Sequence, residues 1–303
     1  MTYADTPGDS TPDPIPHVAV IGTGLMGSAV ARTLLNSHYP LSVWNRTPSR
    51  CEPLRELGAL TADTVADAVR DSDVIILMVL NYTAAREVLG DAVDALRGKT
   101  IVNLVTGSAA DAHAFDSWVT EQGGNYLDGI IAAYPSEIGK PSTLFYYAGS
   151  RPAWIRYESL LTALAGDATY VGTEPSAANV IDAAMTATFH TVSIGAFLEG
   201  LSYARSAGVD LNEIKRTLPY WLGLLSQELH VALDDVQAHS HTTDQATLET
   251  YLVALRTIKE AMVRDGERAH LLGAAVDNLE RAHAAGHGQD ALSAQILTSR
   301  AGN

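Results

Sequence analysis

Cysteine occurs once in 303 residues, as Cys51. A single thiol excludes an internal disulfide framework and any zinc site built on cysteines, and it suits a reducing cytoplasm. Basic residues are scarce: 20 Lys and Arg stand against 35 Asp and Glu, a net charge of −15. So acidic a surface repels phosphate backbones and anionic lipid heads, which argues against nucleic acid and membranes as partners. It leaves room for one local basic pocket. No uninterrupted apolar run reaches the roughly 18 residues of a membrane span; the longest obvious one, residues 74–80, has strand length. The first 16 residues (MTYADTPGDSTPDPIP) carry no basic or apolar signal region and read as a flexible lead rather than a secretory signal. Charged residues are few, 18% against 47% hydrophobic, so a sizeable core is available.

Residues 17–21 (HVAVI) form a β-branched run, 22–27 (GTGLMG) a glycine turn and 28–36 a helix; a second strand follows at 40–44. Helices at 50–57, 63–70, 83–96, 108–122 and 151–165 then alternate with strands at 74–80, 100–104, 126–131 and 143–148. Such alternation predicts a Rossmann-type doubly wound α/β sheet, mostly parallel and covered on both faces. After residue 173 no strand of weight remains. Residues 176–207 read as one Ala-rich helix, apolar on nearly every side, which predicts burial between layers or subunits. Shorter helices follow at 211–217, 222–237, 247–265, 271–284 and 290–299. The expected organisation is a lead (1–16), a nucleotide-binding domain (17–174) and an all-α C-terminal domain (175–303) that opens with a long inter-domain helix (175–207).

Gly22, Thr23, Gly24, Leu25, Met26 and Gly27 make a G-x-G-x-x-G turn with a strand before it and a helix after it. Gly22 permits the tight turn, Gly24 lets backbone approach a pyrophosphate, and Gly27 lets helix and strand pack closely. At the end of the second strand an NAD enzyme would carry Asp or Glu for the ribose 2′-hydroxyl. This chain has Asn45, Arg46 and Thr47, with Arg50 close behind. A guanidinium there can hold a 2′-phosphate that a carboxylate would repel, so the expected cofactor is NADPH.

Asp182 is the lone charged residue between Glu174 and Glu199, on the apolar helix. Desolvation there raises a carboxyl's pKa toward the range of a general acid. The residue is either such an acid or a structural Asp bonded to a neighbouring donor. His190, two turns on, either lines the same pocket or sits satisfied in the core. Trp221 and Leu222 are core or pocket wall. His239 and His241 in a polar loop, and His283 and His287 late in the chain, lack an obvious third ligand, so no metal is expected. Cys51 reads as lying on the exposed side of an early helix.

With these residues in place, the chain resembles the imine reductase family, which is related to the β-hydroxyacid and 6-phosphogluconate dehydrogenases. IGTGLMGSAVARTLL, VWNRTPSR, IVNLVTGSAADA, SAANVIDAAM and the late LLGAAVDNLERAHAAGHGQDALSA carry the resemblance over about residues 17–297. It implies NADPH-dependent reduction of cyclic imines, with Asp182 as proton donor or iminium stabiliser. The cofactor set it implies adds Val79, Asn103, Val105 and Thr106 to the glycine turn, Asn45, Arg46, Thr47 and Arg50. Thr106, Met185, His190, Trp221 and Leu225 would wall the substrate pocket. A domain-swapped homodimer is implied as well. The related dehydrogenases carry a Lys where this chain has Asp182, and an anion-binding Ser-Gly-Gly stretch where it reads Asp128-Gly129-Ile130. Reductive aminases carry Asn, and Tyr or sometimes Gln, where it has Thr106 and His190, so preformed imines are the expected substrates. The alternatives are a β-hydroxyacid-type NADP oxidoreductase and a non-catalytic NADPH sensor.

Overall fold

A computed structural model describes residues 14–300; most of the expected N-terminal lead, residues 1–13, lies outside them. Two compact units divide the described chain, one ending at Thr188 and the next beginning at Phe189.

The first unit is built on an eight-stranded sheet, with β1 Val18–Ile21, β2 Leu41–Trp44, β3 Leu60–Thr61, β4 Val74–Leu77, β5 Thr100–Asn103, β6 Asn125–Ile131, β7 Leu144–Gly149 and β8 Asp167–Gly172. Their order is β3-β2-β1-β4-β5-β6-β7-β8. All neighbours pair in parallel except β6 and β7, which are antiparallel. The helices are α1 Leu25–Asn36, α2 Glu52–Arg55, α3 Val65–Arg70, α4 Tyr82–Gly90, α5 Ala109–Glu121, α6 Arg151–Leu164 and α7 Ala177–Asp182. The central strands β1 and β4 are apolar at every position because both faces are covered. Val18, Val20, Val74 and Ile76 point into one core with Leu34 and Leu161. Ala19, Ile21, Ile75 and Leu77 point into the other, with Ala85 and Phe115. That two-residue alternation comes from the strand pleat.

Several elements differ from expectation. The helix expected over 50–57 is a short 3₁₀ turn, Pro48–Arg50, followed by α2; Pro53 sits in α2's first turn, where a missing N–H costs nothing. Cys51 between them is 3% exposed, not surface, with Sγ 3.7 Å from Thr23 Oγ1. The strand β8 was not expected. Its residues are exposed or half-buried at the sheet's edge, so the sequence shows no buried run.

After α7 come a wide π-helical stretch, Ala183–Thr191, and α8 Val192–Ser206. The predicted burial of this helix does not hold within the chain: α8 has no buried residue, and Phe197 and Leu198 are 42% and 56% exposed. By length and composition alone, the helical run Ala177–Ser206 could cross a membrane.

In the second unit, α9 Leu211–Ala238 is a single helix where two were expected. Pro219 interrupts its hydrogen bonding without ending it. α10 Leu248–Arg264 and α11 His270–Ala282 pack through Leu248, Leu252, Val276 and Leu279. Glu199 accepts from the N–H groups of Leu271 (3.1 Å) and Leu272 (3.0 Å) and so caps α11. The helix expected over 290–299 is a 3₁₀ turn, Leu292–Thr298.

Candidate active site

The glycine turn joins β1 to α1 against the loop after β4. Gly22 has φ of 101°, and a Cβ there would strike the carbonyl of Met78. A Cβ on Gly27 would strike the carbonyl of Gly22, which is why α1 can lie so close to β1. Gly24, the residue that opens α1, has nothing within 4 Å of a built Cβ and no side chain capping the helix. That leaves α1's first N–H groups open to an anion. Asn45 braces the turn: its Oδ1 accepts from Thr23 N at 3.0 Å and its Nδ2 donates to the Thr47 carbonyl at 3.1 Å.

Two hollows flank α1's N-terminus. One, about 400 Å³, is lined by Thr23, Gly24, Leu25, Ser28, Arg32, Arg50 and Pro53. It is the basic pocket that the net charge left room for. Arg46 and Thr47 are exposed on the loop after β2 but do not line it. Arg32, which the sequence reading missed, stands one turn beyond Ser28 on α1; that four-residue spacing is the signal that could have found it. The other hollow, about 260 Å³, opens at the carboxyl ends of β4, β5 and β6. Met26, Met78, Val79, Leu80, Leu104, Val105, Thr106, Gly129, Ile130 and Ile131 line it, with Asp182. A dinucleotide with its pyrophosphate on α1 fits this pair, its 2′-phosphate end among the arginines and its other end among apolar strand ends.

Asp182 is the one acid lining that second cleft. It is partly exposed rather than deeply buried, because α7 packs on the sheet through Ala178, which is fully buried against Ile130 and Ala148. Among the other expected wall residues, Met185 is exposed in the π-helical stretch. His190, Trp221 and Leu225 belong to the second unit, and the latter two are exposed on α9.

Asn103, expected in the cofactor set, is fully buried. Its side chain lies in a buried polar cluster beneath the cleft. There Asp128 Oδ1 accepts from Tyr82 Oη (2.6 Å), Tyr126 Oη (2.7 Å) and Asn103 Nδ2 (3.2 Å), and Oδ2 accepts from Asn179 Nδ2 (2.8 Å). Burial pushes Asp128 up to about 6, against the pull of the two hydroxyls and the Asn103 amide. Burial, and then the Asp128 charge, hold Tyr82 and Tyr126 above the ordinary phenol range. The stretch 128–131 is strand, where the related dehydrogenases' Ser-Gly-Gly stretch would stand; a Cβ on Gly129 would crowd Leu104 and Tyr147 at 2.8 and 2.9 Å.

The histidine pairs are committed locally. His241 Nδ1 lies 2.9 Å from Ser293 Oγ, His287 Nδ1 lies 2.8 Å from Asp290, and His283 Nε2 lies 3.7 Å from Glu249. Among the described residues no group of three or more His, Cys, Asp or Glu is placed to hold a metal ion.

Residues 17–172 match the NAD binding domain of 6-phosphogluconate dehydrogenase, and 174–300 match the C-terminal domain of NADPH-dependent reductive aminase-like proteins. The chain is 31% identical to an NADPH-dependent reductive aminase of Aspergillus oryzae over 92% of its own length and 96% of that protein. A solved imine reductase from Myxococcus stipitatus, in complex with NADP+, is 33% identical, with a TM-score of 0.86 over 94% of this chain and all of that one. A 2-hydroxy-3-oxopropionate reductase of Escherichia coli is 32% identical over 65% of this chain and 68% of that protein.

Proposed function

The chain belongs to the family of imine reductases and NADPH-dependent reductive aminases, oxidoreductases on a Rossmann-type fold, and on that premise we propose that it reduces cyclic imines to amines with Asp182 as the acid. The observation that carries this reading is the placement of Asp182 in an otherwise apolar cleft, at the strand ends beside α1's N-terminus. NADPH, held with its pyrophosphate at α1 and its 2′-phosphate near Arg46 and Arg50, supplies the hydride when bound. The chain's own part is to bind and orient. Val79, Val105 and Ile130 give an apolar surface that excludes water from the reacting carbon. The Asp182 carboxyl either gives its proton to the imine nitrogen or, ionised, offsets an iminium charge.

Thr106 stands on the exposed loop after β5, where a side-chain hydroxyl can meet a polar substrate edge. We read the substrate as a preformed imine and the enzyme as a domain-swapped homodimer in the cytoplasm. The exposed apolar side chains of α8 support the dimer. A second reading, reduction of a carbonyl by NADPH or the reverse oxidation of a hydroxy acid by NADP+, is favoured by the similarity to the E. coli 2-hydroxy-3-oxopropionate reductase.

The test is NADPH oxidation with a five-membered cyclic imine beside a panel of ketones, and NADP+ reduction with hydroxy acids, in the native enzyme and in Asp182→Ala. Consumption with the imine that Asp182→Ala lowers about a hundredfold or more, with NADPH still bound, supports the proposal. Turnover of a hydroxy acid that survives Asp182→Ala supports the second reading. NADPH binding with no turnover of any substrate would leave a non-catalytic sensor.

A further inference from the structure

Asn179 lies three residues before Asp182 on α7 and turns its amide inward, away from solvent. Its Nδ2 donates to Asp128 Oδ2 at 2.8 Å and to Tyr82 Oη at 2.7 Å. Asp128 is fully buried on β6, in sequence next to Gly129 and Ile130, which line the cleft. Tyr82, in α4, donates to the same carboxylate at 2.6 Å. One buried carboxylate therefore ties the floor of the cleft, the first turn of α4 and the helix that carries Asp182.

A stable sheet does not need this arrangement. A buried carboxylate ringed by donors stabilises no better than an apolar side chain of similar volume, and removing one partner leaves the rest uncompensated. The cluster also leaves the Oδ1 atoms of Asn103 and Asn179 buried without a partner. Both amides are turned so that their N–H groups meet Asp128 and the phenols, at the expense of their own oxygens. The remaining seating of α7, Ala178 against Ile130 and Ala148, is apolar and non-directional. It permits sliding and rotation that charge-assisted hydrogen bonds do not.

We propose that Asp128, acting through Asn179 and Tyr82, is a positioning group for Asp182: it fixes the height and rotation of α7 over the strand ends, so that the Asp182 carboxyl meets the substrate nitrogen. The proposal rests on the reading of Asp182 as the cleft's acid. A displacement of about 1 Å at a reacting group can cost on the order of a hundredfold in rate. Loosening the tether therefore acts on kcat, while the glycine turn and the arginine hollow keep their grip on NADPH.

Four variants test it with the same cyclic imine: Asn179→Ala, Tyr82→Phe, Asn179→Asp and Asp182→Ala, each with kcat and NADPH affinity measured. Asn179→Ala and Tyr82→Phe are expected to lower kcat about ten- to a hundredfold with NADPH affinity unchanged. Asn179→Asp places a second carboxyl against Asp128. The two share a proton at low pH and repel each other when both are ionised. Its kcat relative to the native enzyme is expected to recover as pH falls and to collapse as pH rises, a profile that a merely structural role does not produce. Tyr82→Phe, which keeps the ring, serves should Asn179→Ala fail to fold. The proposal is overturned if Asp182→Ala abolishes turnover while Tyr82→Phe and Asn179→Ala leave kcat intact. It is equally overturned if Asn179→Asp shows no pH dependence beyond the native enzyme's. If Asp182→Ala itself turns over normally, the reading of Asp182 as the acid fails first, and the tether has nothing to position.

Discussion

At the scale of single residues, charge decides the cofactor. Arg46 and Arg50 follow β2, and Arg32 joins Arg50 in the basic hollow beside Ser28. A charge-assisted hydrogen bond to phosphate is worth roughly 1.5–3 kcal/mol, about ten- to a hundredfold in binding. Arg46→Ala is expected to raise KM for NADPH by that factor and leave KM for NADH nearly unchanged, as steady-state kinetics with both cofactors would show. Equal losses for both would make Arg46 structural. Asp182 was legible in the sequence because it stands alone among apolar neighbours. Asp128 was not: its partners Tyr82, Asn103 and Asn179 come from three other elements and converge only when the sheet forms. Asn103 enters the expected cofactor set through the family resemblance alone, which does not tell the direction of its amide; that side chain lies in the buried cluster.

At the scale of elements, legibility follows burial. β1 and β4 announce themselves because both faces are covered and every position is apolar. β8 at the sheet edge and the two-residue β3 carry no such run and were missed. The sequence reads as two helices, 211–217 and 222–237, yet α9 continues through Pro219 between them. A proline's ring and missing N–H cost a helix locally, and a long helix of 28 residues can absorb that cost. The glycine turn separates two effects that are usually lumped together. Gly27→Ala places a methyl against the Gly22 carbonyl and must push α1 from β1, so a loss of about 1–3 kcal/mol in denaturant unfolding is expected. Gly24→Ala meets open space, so stability should hold while KM for NADPH rises, because the methyl occupies the approach to the pyrophosphate. If the two variants behave alike in both measurements, the division of labour assigned to the glycines is wrong.

At the scale of the whole molecule, the apolar helix α8 presents no buried residue within one chain. Its sequence predicts burial, yet Val192, Ile194, Phe197 and Leu198 stand exposed on α8, as do Trp221, Leu222 and Leu233 on α9. Apolar surface on that scale is covered in water by something, and a second copy of the chain is the cover proposed above. Obligate homodimers of this kind bury roughly 2,000–5,000 Å² of mostly apolar surface. Light scattering on the purified protein is then expected to give twice the 32.2 kDa chain mass, unchanged on dilution to low micromolar concentration. Leu198→Glu, which would bury a charge at the contact, is expected to yield monomer or aggregate and to lower thermal stability together with the loss of mass. A native protein that runs as a monodisperse monomer would refute the dimer. Partition of the native chain into detergent or vesicles would instead assign the apolar helix to a bilayer, against the acidic surface that argues it should stay in water.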